Sequence, residues 1–118
     1  ICLPFLTGES LVRAYQGAKL YVDPSFYEGF GFQILEAMAC GVPVIASNRT
    51  CIPEIVGDAG ILFDPNDGNE ISQAMIRVLT DRDLWSQLQQ KGVERAREFD
   101  WDKTARETLV AYEDILKG

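Results

Sequence analysis

The sequence predicts an α/β fold, a parallel sheet flanked by helices with a helical C-terminal segment. Three observations carry that prediction: short β-like runs alternate with helical stretches through residues 1–66, Gly- and Pro-containing breaks separate them, and beyond Asp67 the apolar residues recur only at helical spacing. At 118 residues, 47% of them hydrophobic, the chain has material for one modest core, so one domain or part of one is expected.

Leu3–Leu6 is the first expected strand. Thr7 can cap a helix reaching about Gly17, with Leu11, Ala14 and Tyr15 on one face. Leu20–Asp23 is the second strand. Asp23-Pro24-Ser25 then turns the chain, because Asp and Ser side chains bond nearby backbone N–H groups and Pro presets φ. Helical residues resume at Phe32. Gly41-Val42-Pro43 ends that helix, since glycine accepts a left-handed C-cap and proline cannot continue it, and the strand Val44–Ala46 follows.

After a loop from Ser47 to Cys51, Pro53 suits the first turn of a short helix through Val56, and Ile61–Phe63 is the fourth strand. Asp67, with Glu70 three residues on, signals a helix carrying Ile71, Ala74, Met75, Val78 and Leu79 on one face. A second follows Asp81, with Leu84, Trp85, Leu88, Val93, Ala96 and Phe99 inward. A third follows Asp100, with Trp101, Ala105, Leu109, Tyr112 and Leu116 inward. Residues 1–66 are thus expected to carry the site, and residues 67–118 to form three packing helices.

Composition narrows the chemistry. Eighteen acidic against eleven basic side chains give a net charge of −7, which disfavours a surface for nucleic acid or an anionic membrane. The absence of histidine excludes Ser-His and Cys-His nucleophile pairs. Cys2, Cys40 and Cys51 are odd in number and far apart, which suits reduced thiols in a cytoplasmic protein and no zinc cluster. The longest apolar stretch, Ala37 to Ala46, is broken by Gly41 and Pro43 and is too short to span a membrane. Because Ile1 replaces an initiating Met and no basic leader follows, the chain is expected to be cut from a larger protein.

The informative stretch is Glu28-Gly29-Phe30-Gly31-Phe32-Gln33-Ile34-Leu35-Glu36. It leaves a strand and opens a helix at the carboxyl end of the expected sheet, where ligands of open α/β sheets settle. Unpaired N–H groups of the helix start, at Gly31, Phe32 and Gln33, can hold a phosphate or pyrophosphate without a basic side chain. Gly29 and Gly31 let a ligand approach the main chain. Glu36, inside the helix, fits the task of accepting two ribose hydroxyls, and Glu28, nearer the strand, can reach a sugar on the same nucleotide.

That stretch resembles the E-x7-E element of retaining glycosyltransferases with the GT-B fold. The resemblance extends to Tyr21-Val22-Asp23-Pro24-Ser25, to Glu36 through Ala46, to Pro53 through Gly60 with Asp64-Pro65, and to Phe99-Asp100-Trp101, so it covers about Phe5 to Tyr112. It implies a Rossmann-like parallel sheet belonging to an incomplete C-terminal, nucleotide-sugar-binding domain. It further implies that Glu36 binds the ribose of a nucleoside diphosphate sugar, that the catalytic-site Glu28 lies beside the transferred sugar, and that the main chain of Phe30, Gly31 and Phe32, with Gly29 adjoining, meets sugar hydroxyls and pyrophosphate, Leu35 lying near the ribose.

Such enzymes are expected to transfer a hexose with retention and without a metal or other cofactor, the leaving phosphate helping to deprotonate the acceptor. Consistently, no Asp-x-Asp pair or histidine cluster is expected to hold Mg²⁺ or Mn²⁺ beside a pyrophosphate. Two departures matter. The family's Arg and Lys that neutralise the pyrophosphate, and its acceptor-binding N-terminal domain, fall upstream of Ile1, so the chain alone is expected to be inactive; peripheral membrane contact of the whole enzyme stays compatible with this. Phe32 stands where Leu is frequent, and Gln33 where Pro is.

Several residues have plainer readings. At least two of Phe26, Tyr27, Phe30 and Phe32 are expected in the core, Cys40 as a buried small hydrophobe, Glu54 as a first-turn helix acid and Arg49 as a solvated loop residue. A non-catalytic phosphate-binding or interaction module on a flavodoxin-like sheet is the alternative from another class. Paired carboxylates of a glycosidase are disfavoured, because the chain is too small to form a substrate groove.

Overall fold

The computed structural model describes residues 1–118, in the order α1 (Gly8–Gly17), β1 (Tyr21–Asp23), α2 (Phe32–Ala39), β2 (Val44–Ser47), α3 (Ile52–Val56), β3 (Gly60–Phe63), α4 (Gly68–Thr80), α5 (Arg82–Ala96) and α6 (Trp101–Lys117). The strands form one parallel sheet in the order β1-β2-β3, with Tyr21 opposite Val44 and Val44 opposite Gly60. The α/β class expected from the alternation is therefore the fold observed.

Helices cover both faces of the sheet, as parallel strands require. Val44 and Ala46 of β2 pack with Ile34, Ala37 and Met38 of α2 and Ile52, Ile55 and Val56 of α3. Ile45, one residue out of phase, packs on the opposite face with Phe63, Ala74, Val78 and Leu88 from β3, α4 and α5. Central strand β2 is consequently buried along its whole length.

The two ends of the sheet differ in character. Just before the strands, α5 ties down three connections: Trp85 Nε1 donates to the Lys19 carbonyl at 2.7 Å, Gln89 to the Gly41 carbonyl at 3.0 Å, and Lys91 pairs with Asp58 at 2.7 Å. Lys91 holds the Asp58 carboxyl below its usual range, chiefly through that hydrogen bond. Beyond the strands, the loops after β1, β2 and β3 lie side by side, joined by Glu28 N–H to Thr50 Oγ1 at 3.3 Å, by Asn48 N–H to the Phe63 carbonyl at 2.8 Å and by Arg49 to Asp64 at 3.0 Å.

The cap predicted at Asp67 forms, and the two helices that follow start on Asp caps as well. Asp67 accepts from the N–H groups of Asn69 and Glu70, Asp81 from Leu84 and Asp100 from Asp102. Glu70 bonds back to the Asp64 N–H at 3.0 Å, three residues earlier than a capping box would place it. Thr7 does occupy the N-cap of α1, but its side chain makes no capping bond.

Two expectations fail. Leu3–Leu6 is not a strand; it runs as irregular chain beside α1, because an extended apolar run becomes a strand only where a neighbour supplies its hydrogen-bond partners. The inward face expected of α6 is not inward either: no α6 residue is buried, and Trp101, Leu109, Tyr112 and Leu116 are exposed. No helix is long and apolar enough to cross a membrane.

Candidate functional site

The loop from Asp23 to Gly31 begins with a built turn. Asp23, buried at the end of β1, accepts the Ser25 N–H at 3.0 Å, and the Ser25 hydroxyl in turn donates to Glu28 Oε1 at 3.0 Å. The chain then reaches Gly31, which caps α2 at φ 92°, ψ 47°, a left-handed conformation that a Cβ would strain. Past this bend Ile34 N–H bonds back to the Gly31 carbonyl at 3.1 Å, whereas the N–H groups of Gly29, Phe30, Gly31, Phe32 and Gln33 meet no acceptor of the chain. A row of donors at a helix start attracts an anion.

Glu36 lies one turn into α2, exposed to solvent and turned toward α1, where Tyr15 Oη donates to its Oε2 at 2.9 Å. Together they line a groove of about 600 Å³ whose other walls include Phe5, Thr7, Leu11 and Gln33. Burial, then the bond and the charge of Glu36, push the Tyr15 phenol far above its ordinary range, so it remains a proton donor. Tyr21 is pushed up to about 12, first by burial and then by Asp23, Glu28 and Glu36, which marks this end of the sheet as a concentration of negative charge.

Glu28 and Glu36 do not share a hydrogen-bond partner: the first is tied to Ser25, the second to Tyr15. Leu35 faces another hollow, of about 400 Å³, with Phe30, Phe32, Phe99 and Trp101. There Phe30 and Phe32 lie 4.7 Å apart, Phe32 stacks on Trp101 at 6.1 Å, and Phe30 meets Phe99 edge-on at 6.0 Å. None of Phe26, Tyr27, Phe30 and Phe32 is buried, contrary to the expectation that two would be core, because the loop carries them past the edge of the sheet. Arg49 is not simply solvated, since it pairs with Asp64.

The residues that sequence reasoning passed over are Tyr15, placed there only on an apolar face, and Thr50 and Cys51. Glu28 N–H donates to Thr50 Oγ1 at 3.3 Å, and Cys51 Sγ donates to the Glu28 carbonyl at 3.2 Å. Glu54 stands in the first turn of α3, and Cys40 is half-buried at the end of α2, its thiol raised by burial and then by Glu36. The chain's two Asp-x-Asp triplets, Asp81-Arg82-Asp83 and Asp100-Trp101-Asp102, are helix starts whose leading Asp serves as the cap.

A family model described as glycosyl transferases group 1 matches residues 1–99. The chain belongs to this family. Among its relatives, the chain is 46% identical over 111 residues to the O-antigen chain mannosyltransferase B of Escherichia coli, covering 93% of this chain and 29% of that protein. It is 36% identical over 116 residues to the D-inositol 3-phosphate glycosyltransferase of Salinispora tropica, covering 97% of this chain and 24% of that protein. The chain thus spans less than a third of the length of these curated relatives.

Solved structures share the fold. The sucrose-phosphate synthase of Thermosynechococcus elongatus superposes with a TM-score of 0.77 and 34% identity, over 88% of this chain and 27% of that one. The C-terminal domain of a group 1 glycosyl transferase from Francisella tularensis does so with a TM-score of 0.70 and 28% identity, over 81% of this chain and 51% of that one. The three-stranded sheet and its helices accordingly match the C-terminal domain of GT-B glycosyltransferases.

Proposed function

We propose that this chain is the donor-binding part of a retaining, metal-independent glycosyltransferase that acts in the cytoplasm. It takes a nucleoside diphosphate sugar and works with an acceptor-binding half upstream. The observation that carries this reading is the start of α2, where unpartnered N–H groups from Gly29 to Gln33 stand one turn from a carboxylate, Glu36, that opens into a groove. A diphosphate needs such donors when no basic side chain is at hand, and a ribose needs such an acceptor. The groove's volume of about 600 Å³ suits a nucleoside.

In this arrangement the nucleoside lies along Phe5, Thr7 and Tyr15, and Glu36 accepts the ribose hydroxyls. The main chain of Phe30, Gly31 and Phe32 takes the pyrophosphate and sugar hydroxyls, and Gly29 leaves open space for their approach. Glu28 lies beside the transferred sugar. Retention follows if the leaving phosphate deprotonates the acceptor on the face it departs from. A hexose is the sugar favoured, and a mannosyl donor is supported by the name of the E. coli relative.

Titration with nucleoside diphosphates tests the reading, on the chain joined to its upstream half and on the chain alone. Glu36→Ala is expected to weaken binding by about tenfold or more, the loss of a charged hydrogen-bond acceptor, while Glu54→Ala leaves it unchanged. The chain alone is expected to bind weakly and to transfer no sugar. Equal binding by Glu36→Ala and the parent would overturn the proposal in favour of a phosphate-binding module that does not read ribose.

A further inference from the structure

The loop between β2 and α3, Asn48 to Cys51, holds the chain's single non-glycine residue of positive φ: Thr50, at 51°. A β-branched side chain in that region is an outlier, and such residues persist only where their surroundings leave no alternative. The surroundings here are explicit. Before Thr50, Asn48 N–H is bonded to Phe63 at 2.8 Å, Arg49 N–H to the Ser47 hydroxyl at 3.2 Å, and the Arg49 guanidinium to Asp64 at 3.0 Å. After it, Ile52 N–H returns to the Arg49 carbonyl at 3.2 Å and Ile55 N–H to Cys51 at 3.1 Å. Both ends of the loop are fixed, so the left-handed step falls on Thr50.

Glycine would adopt this conformation without strain. Threonine adds a hydroxyl, and that hydroxyl accepts the N–H of Glu28, 22 residues away in sequence, while the next residue, Cys51, donates its thiol to the carbonyl of the same Glu28. Both polar main-chain groups of Glu28 are thereby held from one loop. Its carboxylate is held from another, by Ser25, which is itself anchored to buried Asp23. An exposed loop that needs only to turn requires none of these bonds; a loop that must keep one carboxylate in place does.

We infer that Thr50 and Cys51 are positioning residues that fix Glu28 for sugar transfer, with the left-handed backbone of Thr50 retained to present its hydroxyl. The inference rests on the proposed role of Glu28 beside the transferred sugar. It adds a cause for that residue's placement, which the sequence of the loop does not reveal.

The test uses the full-length enzyme with Thr50→Gly, Thr50→Val, Thr50→Ser and Glu28→Gln, measuring kcat, donor KM and melting temperature together. Thr50→Gly is expected to melt no lower than the parent, since it relieves the strained φ, yet to lose about tenfold or more in kcat with donor KM within about threefold, the signature of a misplaced group. Thr50→Val, lacking the acceptor, is expected to lose as much, and Thr50→Ser to recover most of it.

Parental kcat in both Thr50→Gly and Thr50→Val would overturn the inference, and so would kcat and melting temperature falling in step across all three Thr50 variants. Glu28→Gln separates the two claims. If it transfers sugar normally, the role of Glu28 fails and the inference with it; if it is inactive while Thr50→Gly and Thr50→Val both keep the parental kcat, only the inference fails.

Discussion

The phenol of Tyr15 is the side-chain group that contacts Glu36, and it does so as a donor over the whole physiological range. That bond occupies Oε2 and restrains the carboxylate, leaving Oε1 for the ribose hydroxyls that the proposed function assigns to it. Removing the hydroxyl should therefore act through Glu36 and be felt at the sugar of the nucleoside. In competitive titrations of ribo- and 2′-deoxyribonucleoside diphosphates, Glu36→Ala is expected to abolish the preference for ribose. Tyr15→Phe should reduce it by about fivefold, the worth of one restraining hydrogen bond of about 1 kcal/mol. An unchanged preference in Tyr15→Phe would mean that Glu36 is held well enough by α2 alone. Neither this contact nor the Thr50 clamp was legible in the sequence, because each joins residues 21 or 22 positions apart and neither residue type advertises such a partner. The Glu28 to Glu36 spacing, in contrast, is local and could be read directly.

Elements were legible where their determinants are local. The caps at Asp67, Asp81 and Asp100 lie next to the helices they start, and β1, β2 and β3 fall within one residue of the β-like runs at Leu20, Val44 and Ile61. The run at Leu3 looked the same as these but had no neighbour, and pairing is not written in a single run. Gly60 shows the converse, a non-local constraint borne by one residue: a Cβ there would lie 2.8 Å from both the Val44 carbonyl and Val56 Cγ1. Gly60→Ala must push β3 from β2 or α3 from the sheet, and is expected to cost about 2 kcal/mol, in the range of core overpacking. Gly68, at the first turn of α4, has open space around it, so Gly68→Ala is expected to be neutral or to stabilise by up to about 1 kcal/mol. Urea midpoints of the two variants check this, and shifts in the same direction would count against the packing at β3.

At the scale of the whole molecule, a chain of 118 residues packed as one globule would have a radius of gyration of about 13.5 Å. The observed value is 16.3 Å, with extents of 55 × 32 × 29 Å. α6 contributes to the excess, since after its first turn has stacked Trp101 on Phe32 it buries no residue along its length. Its remaining supports are local. They are the Asp100 cap and exposed pairs such as Lys103 with Glu107 and Lys117 with Glu113, each 3.9 Å apart and worth about 0.3–0.5 kcal/mol at most. Helical periodicity announced an apolar face here, but periodicity reports amphipathy and not what covers it. Deleting residues 106–118, which spares Trp101 and Thr104 against the aromatic hollow, should therefore change the unfolding free energy by less than about 1 kcal/mol. The same deletion should bring the radius of gyration measured by small-angle scattering down toward 14 Å, near the globular value. Loss of cooperative unfolding in that variant would show that α6 braces the sheet in solution. The helix would then have to fold back on the body, and the intact chain would itself scatter as a particle more compact than 16.3 Å.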